Sequence, residues 1–346
     1  MSDGDARVEE IRDWLAALGW PRACRLEPAS ADASFRRYFR AWHTDGTTRV
    51  VMDAPPGRED TAPYLKVTGL LAACGVHVPE VMAADTQRGL LLLEDLGQEH
   101  MLAGLRRGAD AGQLYAAALL TLERIQLLGA AGAACLSAYD RAALLREMQL
   151  LPDWYCARHL QLPASSEDAA LLAQCFELLV RAAQEQPIVL VHRDYHSRNL
   201  MLTAARSPGV IDFQDAVAGP IGYDLVSLLK DCYICWPRER VEGWVEDYRL
   251  RLRAGGLAAV ASGAQFLRWF DLIGLQRHIK VLGIFARLYY RDGKAGYLTD
   301  LPRTLAYVLD TAARYPELRD FSAWARRRLQ PGLAAANARA LAALSA

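Results

Sequence analysis

Three oxygen-bearing side chains, Asp194, Asn199 and Asp212, stand close together in the chain at a spacing suited to phosphoryl transfer. The stretch reads Ile188-Val-Leu-Val-His-Arg-Asp-Tyr-His-Ser-Arg-Asn-Leu-Met-Leu202, and after a short break Gly209-Val-Ile-Asp-Phe-Gln-Asp215. Apolar runs flank a polar loop. Moving a phosphoryl group calls for a carboxylate that orients the attacking hydroxyl and takes its proton. It also calls for hard oxygen ligands that fix magnesium on the phosphates. Asp194 suits the first task. Asn199 and Asp212 suit the second, because a hairpin-like turn between the flanking strands returns Asn199 to the side of Asp212 across 212 − 199 = 13 residues. Asp212 follows Val210-Ile211, at the end of a buried strand that holds a ligand rigidly. His192 reads as a buried histidine supporting the loop backbone.

The elements that must position this loop follow from periodicity. The first residues, MSDGDARVEEIRDWLAALGW, spell an amphipathic helix with Ile11, Trp14, Leu15 and Leu18 on one face. Ala33 to Trp42 and Thr48 to Ala54 read as an antiparallel pair, Asp60 to Ala73 as a helix closed by Gly75, and Leu90 to Leu93 as a further strand. Beyond Gly97 the texture turns to Ala/Leu-rich helices over Gln113 to Leu128, Arg141 to Leu160 and Asp168 to Glu185. The β interval Ile188 to Asp212 interrupts them before helices resume to the C-terminus. The expected fold class is α+β in two lobes, a small β-rich N-lobe over residues 1–96 and a large helical C-lobe over residues 97–346.

Composition narrows the possibilities. Of the 346 residues 52% are hydrophobic and 23% charged, enough for an ordered core. Lys plus Arg and Asp plus Glu are 40 each, so no global field steers the chain to nucleic acid or an anionic membrane. No signal peptide or bilayer-length apolar run is present, and a cytoplasmic location is expected. No obligate protein partner is evident. The seven cysteines read as reduced thiols, with Cys232 and Cys235 in a helical run.

The loop, with His192, Asp194, His196 and Asn199 followed by Ile211-Asp212-Phe213, resembles the signature of the aminoglycoside phosphotransferase and choline-kinase-like family. The resemblance spans roughly residues 30 to 300 and implies a protein-kinase-like fold with ATP and Mg2+ as cofactors. It makes Leu91-Leu-Leu-Glu-Asp-Leu-Gly97 similar to the hinge whose backbone at Glu94 and Leu96 pairs with adenine. Ser30 to Tyr38 would cover the phosphates, with Ser34 offering its hydroxyl. Asp224 would anchor a helix start. One departure stands out: the third strand, Val50-Val-Met-Asp-Ala-Pro55, has Met52 where the family carries a phosphate-binding lysine. Arg36 or Arg37 would replace it. By alternation Arg36 shares a face with Arg40, and Arg37 takes the other.

Ala33-Ser-Phe-Arg-Arg-Tyr-Phe-Arg40, the Val-Met-Asp-Ala-Pro-Pro strand and the loop together resemble one subgroup. These are the bacterial anomeric kinases that phosphorylate N-acetylmuramate and N-acetylglucosamine at the C1 hydroxyl in cell-wall recycling. An amino sugar bearing a lactyl carboxylate would want a cation and amide-pairing groups near Asp194, which draws attention to His196, Arg198, Gln214, Asp215 and Arg277. Residues 271–300 hold five Lys or Arg against three Asp, a bias that favours an anionic sugar over a polycationic aminoglycoside. Two alternatives keep the same loop: a kinase for another hydroxyl, such as an aminoglycoside, choline or homoserine, and a silent nucleotide-binding regulator suggested by Met52.

Overall fold

A computed structural model describes residues 3–31, 35–163, 165–257 and 261–343 of the chain. The strands are β1 (Arg25–Ala31), β2 (Arg37–Trp42), β3 (Thr48–Asp53), β4 (Val81–Asp85), β5 (Leu90–Glu94), β6 (Ile188–Val191), β7 (Leu200–Met201), β8 (Gly209–Val210) and β9 (Val217–Pro220). The helices that matter for the site are α1 (Asp3–Ala17), α2 (Ala62–Ala73), α3 (Ala111–Leu128), α4 (Arg141–Met148), α5 (Ser166–Gln184), α6 (Gly222–Leu229), α7 (Gly263–Asp292) and α8 (Leu301–Ala312). The chain divides into two compact units, one of Met1–Thr121 with Arg198–Asp215, the other of Leu122–Ser197 with Ala216–Ala346.

The first unit is built on a five-stranded antiparallel sheet in the order β1-β2-β3-β5-β4. Strands β2 and β3 pair from Arg37 opposite Asp53 to Trp42 opposite Thr48, as the alternation predicts. Ile11, Trp14 and Leu15 of α1 join Phe39, Ala41, Val51, Leu90 and Leu92 in one apolar cluster. Leu18 does not: it lies past the end of α1 and is 41% exposed. Helix α2 ends in Gly75 at φ 70°, where Val76 N–H returns to Leu71 O at 3.1 Å. The β7–β8 hairpin belongs to this unit, because Val210 N–H donates to His77 O and Leu202 N–H to Glu99 O, both at 2.7 Å. The unit therefore runs past the 96/97 boundary read from the sequence and takes in residues 198–215.

In the second unit β6 pairs antiparallel with β9, and Leu190 lies opposite Ala218. Its spine is α7, 30 residues and about 45 Å long at the usual rise. Residues 269–283 are buried without a break, the mark of a helix surrounded by protein. Gly283 permits one of its contacts, since a Cβ there would stand 2.4 Å from the Leu150 carbonyl oxygen. The single helix expected over Arg141 to Leu160 is two elements. After α4 the chain passes into a π-helical stretch, Leu151–His159, whose second residue Pro152 lacks the N–H that would continue the ladder. Cys232 and Cys235 sit in the turn after α6 rather than in a helix, and both are free thiols. Among the described residues no helix is long and apolar enough to cross a membrane.

Candidate active site

Two buried carboxylates hold the loop that carries Asp194. Asp224, in the first turn of α6 and fully buried, accepts the backbone N–H of His192 at 2.6 Å and of Arg193 at 3.0 Å. Burial pushes its carboxyl up to about 7, against these two N–H groups, which favour the ionised form. Farther along the loop, the Ser197 hydroxyl donates to Asp231, whose other oxygen accepts the Tyr233 and Ile234 N–H groups at 2.8 Å each. His192 acts as expected, its Nδ1 accepting the Asp194 N–H at 3.2 Å. Between the anchors Arg193 takes a left-handed conformation, φ 76°, at a cost of about 1–2 kcal/mol. A loop tied at both ends sustains that strain, and the strained residue immediately precedes Asp194.

The surroundings of Asp194 keep it ionised. Burial alone would raise its pKa, but Lys280, His196, Arg277 and His192 outweigh burial and hold the carboxyl below the usual aspartate value. Lys280 is itself buried, with Nζ 3.1 Å from Glu147 Oε1 and donating to the Tyr223 hydroxyl at 3.0 Å. Glu147 also receives the Arg193 guanidinium and the Tyr139 hydroxyl, and Gln276 donates to Tyr139 Oη at 3.1 Å. Glu147 was missed in the sequence, where it is the lone acid of α4 and stands in no motif. Lys280 carried a signal: it lies three residues after Arg277, on the same face of α7.

Asn199 and Asp212 meet in the first unit, as the hairpin reading expects. Ile211 N–H donates to Asn199 O at 3.1 Å, and Asn199 Nδ2 reaches Asp212 Oδ2 at 3.2 Å. Gln214 Nε2 donates to the other oxygen, Oδ1, at 2.8 Å. Asp212 adopts φ 64°, and Phe213 is buried against Tyr64 with ring centroids 4.9 Å apart. One carboxylate beside one amide is a hard oxygen set of the kind magnesium takes from protein, leaving its other positions to phosphate and water. Half a turn of the Asn199 amide would present Oδ1 in place of Nδ2. The described residues hold no cluster of three or more His, Cys, Asp or Glu that would compete as a metal site.

The remaining candidates separate. Ser34 lies outside the described residues. Arg37 is committed to Asp53, which also takes Arg7 Nε at 2.8 Å. Arg40 makes a paired contact with Asp95 and donates to Gly97 O at 2.8 Å, bracing the segment that includes Leu96. Arg36 is buried, with Glu59 Oε2 3.7 Å from its Nη1, and Met52 is fully buried in β3. The backbone N–H of Glu94 donates to Glu80 O at 2.8 Å, and its carboxylate meets His77 Nε2 at 3.2 Å. Leu96 is buried. His196 stacks edge-on with Tyr233, 5.3 Å between centroids. Arg198 is partly buried and Asp215 exposed, with Gln214 Nε2 3.5 Å from Asp215 Oδ2. Arg277 is buried in the second unit.

Residues 25–266 match the phosphotransferase enzyme family. The N-acetylmuramate/N-acetylglucosamine kinase of Pseudomonas aeruginosa is 48% identical over 328 residues, covering 92% of this chain and 95% of that one. The kinase of the same name from Neisseria meningitidis is 45% identical over 315 residues, covering 90% and 93%. Among solved structures, the choline kinase LicA of Streptococcus pneumoniae shares the fold with a TM-score of 0.61 at 12% identity, covering 88% of this chain and 98% of that one.

Proposed function

The chain belongs to the phosphotransferase enzyme family, with a protein-kinase-like fold, and from that premise we propose that it is an ATP-dependent kinase acting on the anomeric C1 hydroxyl of N-acetylmuramate and N-acetylglucosamine. One observation carries the reading: Asp194, held ionised on a doubly anchored loop, occurs in a chain 48% identical across 92% of its length to a kinase named for those two sugars.

In this reading Asp194 accepts a hydrogen bond from the anomeric hydroxyl, orients it, and takes its proton as the oxygen attacks the γ-phosphorus of ATP. The bond from that phosphorus to the β,γ-bridging oxygen breaks, leaving ADP and a sugar 1-phosphate. An anomeric hydroxyl is more acidic than an ordinary alcohol, so a base whose pKa is low suffices. Asn199 and Asp212 would hold magnesium, which neutralises charge on the nucleotide phosphates when bound. Arg36 supplies the cation that Met52 does not, since Arg37 is engaged by Asp53. The backbone near Glu94 and Leu96 pairs with adenine, and the Ser34 hydroxyl takes part at the phosphates. His196, Arg198, Gln214, Asp215 and Arg277 belong to the sugar side. The protein works in the cytoplasm on a small molecule.

Phosphorus NMR of the product formed from ATP and N-acetylmuramate tests the proposal. A C1 phosphate is expected, absent when Asp194→Asn replaces the native chain although ATP still binds. A C6 phosphate, or near-normal turnover by the variant, overturns it.

A further inference from the structure

Four arginines are buried among the described residues, and three of them have a carboxylate. Arg36 has Glu59 at 3.7 Å, Arg40 has Asp95 at 2.6 Å, and Arg249 has Glu246 at 2.6 Å. Arg277 differs. Only 5% exposed, it keeps Nε and Nη1 buried with no hydrogen-bond partner, and no carboxylate of the described residues stands within ion-pair distance of it. Burying a guanidinium without a partner is costly, and a ligand that paired with it would relieve that cost. Asp194 is near enough to interact through space without forming a pair, along with Tyr223 and Tyr233. The unfilled guanidinium therefore stands beside the base.

Its neighbour on α7 sharpens the point. Lys280 shares the face of Arg277 and has its charge answered by Glu147 at 3.1 Å and its hydrogen bonding by Tyr223. Of the two buried cations that α7 sets around Asp194, one is complete within the protein and the other is not. Nε–H and Nη1 lie on different edges of the guanidinium, and each edge is completed by Nη2; either edge matches one partner above others, a carboxylate received through both oxygens.

We propose that Arg277 receives the carboxylate of the acidic acceptor sugar and so sets the enzyme's preference between the acidic sugar and its neutral counterpart. The inference rests on the sugar-kinase reading. N-acetylmuramate differs from N-acetylglucosamine by a 3-O-lactyl group, and that added carboxylate is the group Arg277 lacks.

The test compares the two sugars at a single pH, 8, so that any change in the ionisation of Asp194 falls on both alike. Arg277→Gln is expected to lower kcat/KM for N-acetylmuramate about 100-fold, with the loss on N-acetylglucosamine within about threefold and the KM for ATP little changed. Arg277→Lys, which keeps the charge but not the fork, is expected to lose about tenfold on the acidic sugar alone. Equal losses on both sugars overturn the proposal and make Arg277 a support of the base. A raised KM for ATP overturns it in favour of phosphate binding. Equilibrium binding of the two sugars to Asp194→Asn, with and without Arg277→Gln, gives a readout free of turnover: acidic-sugar affinity indifferent to Arg277 also overturns the proposal. A native chain that phosphorylates neither sugar defeats the sugar-kinase reading itself. If that chain still binds N-acetylmuramate through Arg277 the carboxylate site stands, and if it does not, the site falls as well.

Discussion

Lys280 Nζ lies 3.1 Å from Glu147, and the same ammonium holds the Asp194 carboxyl below its usual pKa. A carboxylate already engaged with Lys280 does not cancel its effect on Asp194, because Glu147 is shared with Arg193. The Asp194 environment is thus a balance of burial against Lys280, His196, Arg277 and His192.

Lys280→Met tests that balance. Removing the ammonium lets burial raise the Asp194 pKa, so the acid limb of kcat/KM for N-acetylglucosamine moves to higher pH while the plateau above it persists. Rates from pH 4 to 9 measure it. An unshifted limb would mean that Lys280 only packs. Glu147 keeps Arg193, so the stability cost is about 1–3 kcal/mol rather than that of a stranded buried charge.

Arg36 and Arg37 are adjacent and are expected to fail differently. Arg37 is about one third exposed, and Asp53 retains Arg7, so Arg37→Ala costs only about 1–2 kcal/mol of stability and leaves the KM for ATP within twofold. Arg36→Ala raises that KM at least tenfold and costs about 1–3 kcal/mol of stability, since a buried guanidinium facing Glu59 is lost. Kinetics of both variants decide it, and the reverse pattern would assign the phosphate to Arg37.

Lys230 gives a pH dependence in stability. Burial lowers its pKa to about 8, because Asp271, 3.9 Å away, is bound at both oxygens by Arg238. Between about 8 and the ordinary lysine value near 10.4 the unfolded chain holds this proton and the folded chain does not, so stability rises with pH through that window. Below it both states are charged and the burial penalty is felt in full. Urea unfolding at pH 7 and pH 10 is expected to show a gain of about 2 kcal/mol at the higher pH that Lys230→Met lacks. Equal slopes for the two proteins would contradict the assignment.

Asp212 is best probed with Asn. Asn tolerates φ 64° and removes only the charge, so Asp212→Asn should keep the melting temperature, lower kcat by at least about 100-fold and raise the magnesium required. Ala at this position adds a backbone penalty of about 1–2 kcal/mol, which confuses stability with metal binding. A magnesium titration of both variants separates the effects.

Legibility from sequence followed distance along the chain. Asn199 and Asp212 are 13 residues apart on one hairpin, and local spacing sufficed to pair them. Arg193 and Glu147 are 46 apart on different elements, and nothing in either segment announces the contact. Strand β1 escaped notice because Pro28 interrupts it at a bulge on the sheet edge. Strand β4 escaped because it is Ala-rich and only half covered. The engagement of Arg37 was not legible because it depends on Asp53, whose two arginines come from a helix and a neighbouring strand. The reading of α4 and the following π-helical stretch as one helix failed at Pro152, a residue that periodicity alone passes over.

Helix α7 carries Gln276, Arg277 and Lys280 within its continuously buried stretch. Elements of that kind exchange their amide protons last and open only when the whole domain does. Selectivity written on such an element has little slack. A loop can drift by a residue and admit a new acceptor at small cost, whereas a change at Arg277 is felt by packing on every side at once. In lineages that keep this helix, acceptor range is expected to change by exchange of a few side chains at fixed positions and seldom by insertion.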